Sequence, residues 1–102
     1  MEVLGNKTDP AVHMKIQYWG GWGYRSKCTQ VIDMIENEVP NKFQYHLQKD
    51  TTITGNFEVS IYKAADLSDQ PTEVFSKKKE GKFPHVDEDT FTAFFEQAQK
   101  CL

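Results

Sequence analysis

The sequence predicts an α/β (α+β) domain of order β-α-β-β-β-α, with two helices on a four-stranded mixed sheet. Three observations predict it. Residues 12–18 alternate apolar and polar, which is the period of a strand, and Gly20, Gly21 and Gly23 then break the pattern. Cys28, Val31, Ile32, Ile35 and Val39 follow at helical offsets, so one face of a helix is apolar. Helices covering one sheet is the architecture that such a mixture implies.

Each element follows in order. Residues 1–10 are polar and end at Asp9-Pro10, so they read as a flexible leader, with residues 11–102 as a single domain. The first strand is Val12 to Tyr18, and its helix runs from about Arg25 to Glu38, stopped by Pro40-Asn41. Phe43 to Leu47 alternates again. A strand, helix and strand with connections this short make a right-handed crossover unit with the two strands parallel. Gly55 opens a third strand through Phe57, Val59 and Ile61, and Glu73 to Ser76 forms its antiparallel partner beyond a long polar loop. Asp87 or Asp89 caps a last helix carrying Phe91, Phe94, Phe95 and Ala98 on one face.

Composition excludes several functions. With 102 residues the chain has room for one core. A net charge of −3 gives no general attraction to nucleic acid or anionic membrane. Lys77-Lys78-Lys79, flanked by acids, reads as a solvated loop. The N-terminus lacks the basic start and apolar run of a secretory signal, and no stretch approaches the ~20 apolar residues of a membrane span. The sequon Asn6-Lys7-Thr8 is therefore a chance match, and two distant cysteines fit a reduced, cytoplasmic protein, expected to be a monomer.

His13, His46 and His85 lack metal-ligand spacing, and the alternation points His13 and His46 to solvent. The glycine turn lacks the Lys-Ser/Thr of a phosphate loop. No metal or other cofactor is expected.

The junction Tyr18-Trp19-Gly20-Gly21-Trp22-Gly23-Tyr24 holds the chain's only two tryptophans. With it, the chain resembles the selenoprotein W family, the small thioredoxin-like redox proteins grouped with selenoproteins T and H. In that family a strand ending in Tyr leads to C-x-x-U or C-x-x-C, then Gly-Tyr and a helix. Thr54-Gly55-Asn56-Phe57-Glu58-Val59 is similar to its T-G-x-F-E-V segment, and Phe75-Ser76-Lys77 through Gly81, Phe83 and Pro84 to its F-S-K…G-F-P loop. The resemblance implies a thioredoxin-like fold, thiol/selenol redox chemistry in cell redox homeostasis, and glutathione as reductant. It places the redox pair at Trp19 and Trp22, and marks Tyr18, Gly20, Gly21, Tyr24, Gly55 and Phe57 as surrounding binding residues.

Both pair positions depart from the family. A thiolate at a helix N-terminus is stabilised by free N–H groups and the dipole, and its neighbour resolves the mixed disulfide. An indole has one N–H donor and no lone pair for attack, so the motif as written is inactive in exchange. Three readings stand. The scaffold has become an interaction module for a protein partner, with Tyr18, Trp19, Trp22 and Tyr24 as an exposed aromatic patch. Alternatively, the letters misreport cysteine or selenocysteine, since UGG is one base from UGA and from both Cys codons. Otherwise the indoles fold back into the core. Cys28 shares the apolar helix face and reads as a buried, inert thiol, whereas Cys101 lies in a fraying terminal turn open to modification.

Overall fold

A computed structural model describes all 102 residues. The strands are β1 (Glu2–Gly5), β2 (Val12–Trp19), β3 (Phe43–Asp50), β4 (Phe57–Tyr62) and β5 (Thr72–Ser76). The helices are α1 (Tyr24–Glu38), α2 (Lys77–Glu80) and α3 (Glu88–Gln99). The strands form one mixed sheet of order β1-β3-β2-β4-β5. Only β2 and β3 run parallel, with Val12 opposite Phe43 and Ile16 opposite Leu47. This is the thioredoxin-like α+β arrangement, with α1 as the crossover between the parallel pair.

The core lies on one face of the sheet. Val12, Met14, Ile16 and Tyr18 from β2 meet Phe43, Tyr45 and Leu47 from β3 and Phe57, Val59 and Ile61 from β4. Cys28, Val31, Ile32 and Ile35 of α1 and Phe91, Phe94 and Ala98 of α3 cover them. Alternation decides this directly, because successive side chains in a strand point to opposite faces. Burial of Tyr45 is accommodated by a bond from its hydroxyl to the Glu36 carboxylate (2.7 Å). Burial also pushes the Tyr45 phenol well above the ordinary tyrosine range.

Four expectations are corrected. The sheet has five strands, because residues 2–5 pair antiparallel with β3 instead of forming part of a flexible leader. Val3 and Leu4 are the only apolar residues of that strand, too few for a period to show. The Asn6 side-chain amide donates to Asp9 O and Asn41 O (2.9 Å each), and its carbonyl oxygen accepts from Thr8 and Asp9. These bonds tie the strand's end to the domain. The lysine run is a helical turn, α2, capped by the Ser76 hydroxyl accepting from Lys79 N.

His13 and His46 do point away from the main core, but they are 5% and 6% exposed. Their rings meet across β2 and β3, with His13 Nδ1 3.0 Å from His46 Nε2. Each ring is thus the other's hydrogen-bond partner, which removes the need for solvent.

The long loop before β5 is ordered by its acids. Asp69 accepts from the N–H groups of Lys63 and Ala64, and Asp66 accepts from Ser68 N. Asp87 caps α3 by accepting from Thr90 N at 2.7 Å.

Candidate functional site

The junction between β2 and α1 is a tight turn closed by Tyr24 N donating to Gly21 O (3.1 Å). Its two central residues, Trp22 (φ 50°) and Gly23 (φ 73°), are both left-handed. These are the φ signs of a type I′ turn. Glycine adopts that conformation freely, whereas for a bulky residue it costs of order 1 kcal/mol or more. The bend therefore sits at Trp22-Gly23, and Gly20 and Gly21 serve another purpose. A Cβ on Gly21 would lie 2.7 Å from the Trp19 ring, and one on Gly20 would lie 2.6 Å from the Lys49 side chain. Their lack of side chains makes room for the indole and for β3.

The two positions of the pair face each other. The Trp19 and Trp22 ring centroids are 5.4 Å apart and tilted by 53°. Trp22 is 89% exposed, while Trp19 is half-buried at the strand end. Trp19 continues edge-on to Tyr24 (5.4 Å), Tyr24 to Phe83 (5.0 Å), and Phe83 to Phe57 (5.4 Å). Lys77 sets its ammonium 5.6 Å from the Tyr24 ring and 5.4 Å from Phe83, and Lys27 lies 5.7 Å from Phe83. Such cation–ring contacts are individually worth about 0.5–1 kcal/mol at exposed sites.

Of the residues expected at the site, Trp19, Trp22 and Tyr24 belong to this row, with Gly20 and Gly21 beneath it. Gly55 (φ 65°) lies beside the Tyr24 hydroxyl and turns the chain into β4. Tyr18 does not join the patch. It is 3% exposed, because its place in the alternation turns it into the core. Phe57 is fully buried and acts as the support on which Phe83 rests. Phe83 and Lys77 complete the row, and no periodicity points to either, since both lie outside the strands. Their only sequence signal is the F-S-K…G-F-P loop that carries them.

The start of α1 has no side-chain cap and no acid in its first turn. Tyr24 N–H is taken by Gly21 O, which leaves the Arg25 and Ser26 N–H groups and the positive end of the dipole available to an anion near Trp22. Nothing at positions 19 and 22 can use them as a thiolate would. Asp50, beside Gly20, accepts from Gln17, Thr54 and Asn56. Burial pushes its carboxyl up, but these bonds outweigh burial and hold it below the usual range.

The two thiols are remote from the turn chemistry in different ways. Cys28 is fully buried, and desolvation pushes it up to about 12 despite the nearby Arg25 charge. Cys101 is half-buried at the end of α3, with its Sγ 3.7 Å from Gln97 O. No group of three or more His, Cys, Asp or Glu side chains is placed to hold a metal.

No curated protein matches the chain. Residues 13–89, from the start of β2 to the first turn of α3, match the Rdx family. The strand, turn and helix that frame positions 19 and 22 lie wholly within that match, and the chain belongs to the Rdx family of selenoprotein W-type, thioredoxin-like proteins.

Proposed function

We propose that this chain is a selenoprotein W-like thiol/selenol redox protein whose redox pair stands at positions 19 and 22. As written, with Trp at both, it is inactive in exchange. The observation that carries this reading is the pairing of the two positions across the turn, 5.4 Å between ring centroids, at an uncapped helix start. A thiol or selenol at 22 would stand beside the unbonded Arg25 and Ser26 N–H groups, and one at 19 would have the three-residue spacing of a resolving pair. Glutathione is the reductant that family membership suggests, and the cytoplasm the compartment. The chain's only tryptophans occupying both redox positions points to cysteine or selenocysteine codons in the native gene.

The coding sequence at the two positions tests this, since UGA codons support it and UGG codons speak against it. The biochemical test compares the chain with Trp19→Cys/Trp22→Cys in a glutathione-coupled disulfide-reduction assay. The double variant is expected to reduce disulfides where the parent does not. A folded double variant without activity overturns the assignment of the site, and activity in the parent overturns its inactivity.

A second reading is favoured by one specific feature, the row that the exposed Trp22 leads and the half-buried Trp19, Tyr24 and Phe83 continue, with Lys77 beside it. Tryptophan and tyrosine are the residues that most often anchor protein interfaces. In this reading the turn is a non-enzymatic protein-interaction site. Trp22→Ala then abolishes partner capture without changing the fold, whereas in the redox reading it has no binding consequence.

A further inference from the structure

A concavity of about 580 Å³, within the range of small-molecule sites, opens on the helix-bearing face of the sheet. The strand register puts it there. Glu2 stands opposite Leu47 and Lys49 opposite Tyr18, and the alternation puts all four on the face that carries the core. Arg25 joins the lining from the first turn of α1, and Gly20 from the end of β2. Because Gly20 has no side chain, the Lys49 stem lies against it.

The charged side chains of the lining are two cations, Arg25 and Lys49, and one acid, Glu2. The Glu2 carboxylate accepts two bonds from Arg25, from Nε to its Oε1 (3.1 Å) and from Nη2 to its Oε2. The chain's own carboxylate thus occupies the guanidinium fork, in the two-bond geometry by which arginine recognises carboxylates. Both side chains are open to solvent, so the pair is weakly held and another carboxylate can compete for it. Lys49 has no acidic partner in the chain.

Tyr18 adds a directional group. Its side chain is buried, and its hydroxyl makes no hydrogen bond within the chain. Outside the exposed residues, His85 Nδ1 is the only side-chain polar atom sealed from solvent without a partner. The Tyr18 hydroxyl is therefore not sealed, and it reaches the cavity that this residue lines. Burial raises the phenol above its ordinary range, Cys28 and Glu2 add to this, and Arg25 opposes them. The group is thus an O–H donor near neutral pH, and a ligand acceptor would satisfy it.

We propose that this cavity binds a small organic carboxylate. The carboxylate accepts from the Tyr18 hydroxyl, from Lys49 and from Arg25, where it takes the place of Glu2, and its apolar part lies against Leu47 and Met1. Two cations and a hydroxyl donor suit a group that only accepts, whereas an ammonium would meet like charge. Glu2 is a tethered competitor for the same guanidinium. The site does not depend on what occupies positions 19 and 22.

The test is an amide NMR titration of the full-length, isotope-labelled chain, with both tryptophans retained. The probe is hydrocinnamate, with phenethylamine, phenethyl alcohol and inorganic phosphate as cationic, neutral and inorganic counterparts. Saturable shifts centred on Tyr18, Gly20, Arg25, Leu47 and Lys49 are expected, with hydrocinnamate binding tightest. Tyr18→Phe, which removes only the unbonded hydroxyl, should weaken it about ten-fold. Lys49→Gln should weaken it about two- to five-fold. Glu2→Gln removes the competitor and should tighten binding about two- to five-fold, which a merely structural Glu2–Arg25 pair would not produce. Each variant's ligand-free spectrum checks that it is folded. Equal binding of phenethylamine or phosphate, unchanged affinity in Tyr18→Phe, no tightening in Glu2→Gln, or shifts confined to the Trp19–Trp22 row would overturn the proposal.

Discussion

At the residue scale, exposure and solvation separate groups of the same type. The two cysteines are the clearest case. Cys28 is fully buried and its thiol is pushed up to about 12, so almost none is thiolate near neutrality. Cys101 is only half-buried, just past the end of α3. A thiol-specific chromogenic reagent should therefore titrate one thiol rapidly in the native protein and both after denaturation. Rapid reaction of both in the native state would show that α1 opens far more readily than its packing implies. The helical offset of Cys28 from Val31, Ile32 and Ile35 made its burial legible in the sequence. The roles of Gly20 and Gly21 were not legible, since a glycine required for space and one required for a left-handed bend look identical as letters.

At the scale of elements, β1 changes what the sheet presents to its surroundings. It covers one edge of β3, with Glu2 opposite Leu47 and Gly5 opposite Gln44. Glu2 also pairs with Arg25 at the start of α1. Without β1, the backbone of β3 along residues 44–47 would be left as an unpaired edge, and such edges recruit other strands. Deleting residues 1–5 should lower unfolding stability by roughly 1–3 kcal/mol and promote self-association. Urea denaturation and light scattering check both, and no change in either would return these residues to the status of a leader. The longer elements were legible because each repeats its period several times. The strand β1 was not, because it offers two apolar residues and gains its stability from a partner some forty positions away.

Across the whole molecule, the sheet has two chemically different faces, and the histidine pair marks the polar one. Burial, followed by the neighbouring His13, lowers the pKa of His46, and burial with Lys27 lowers that of His85. A lowered histidine takes up its proton more readily when unfolded, so the unfolded state binds more protons below about 6.5. Stability is then fully present above that pH and declines as pH falls toward the folded-state values. Urea midpoints should drop between about pH 7.5 and about pH 5.5, and His46→Gln should flatten the dependence. A parent profile that is flat across this window would contradict the buried pair. Asp69 stays charged across this window, because its bonds to the Lys63 and Ala64 N–H groups, with a smaller contribution from His13, hold its carboxyl below the ordinary aspartate range. The alternation showed which way His13 and His46 point. It did not show that they point at each other, because that depends on the register of β2 against β3. The same limit applies to the candidate site, whose turn was legible from its resemblance, whereas the contact of Phe83 and Lys77 with Tyr24 exists only after folding.

The turn also gives the protein an optical label. Its only two indoles lie side by side, 5.4 Å apart and inclined by 53°, at one end of the molecule. Chromophores held that close and at that angle couple their strong transitions, giving a far-ultraviolet circular dichroism couplet that well-separated tryptophans do not. All of the tryptophan fluorescence likewise originates at this one turn. Changes in tryptophan fluorescence on adding a partner, a reductant or denaturant therefore report on positions 19 and 22 alone, with no added dye.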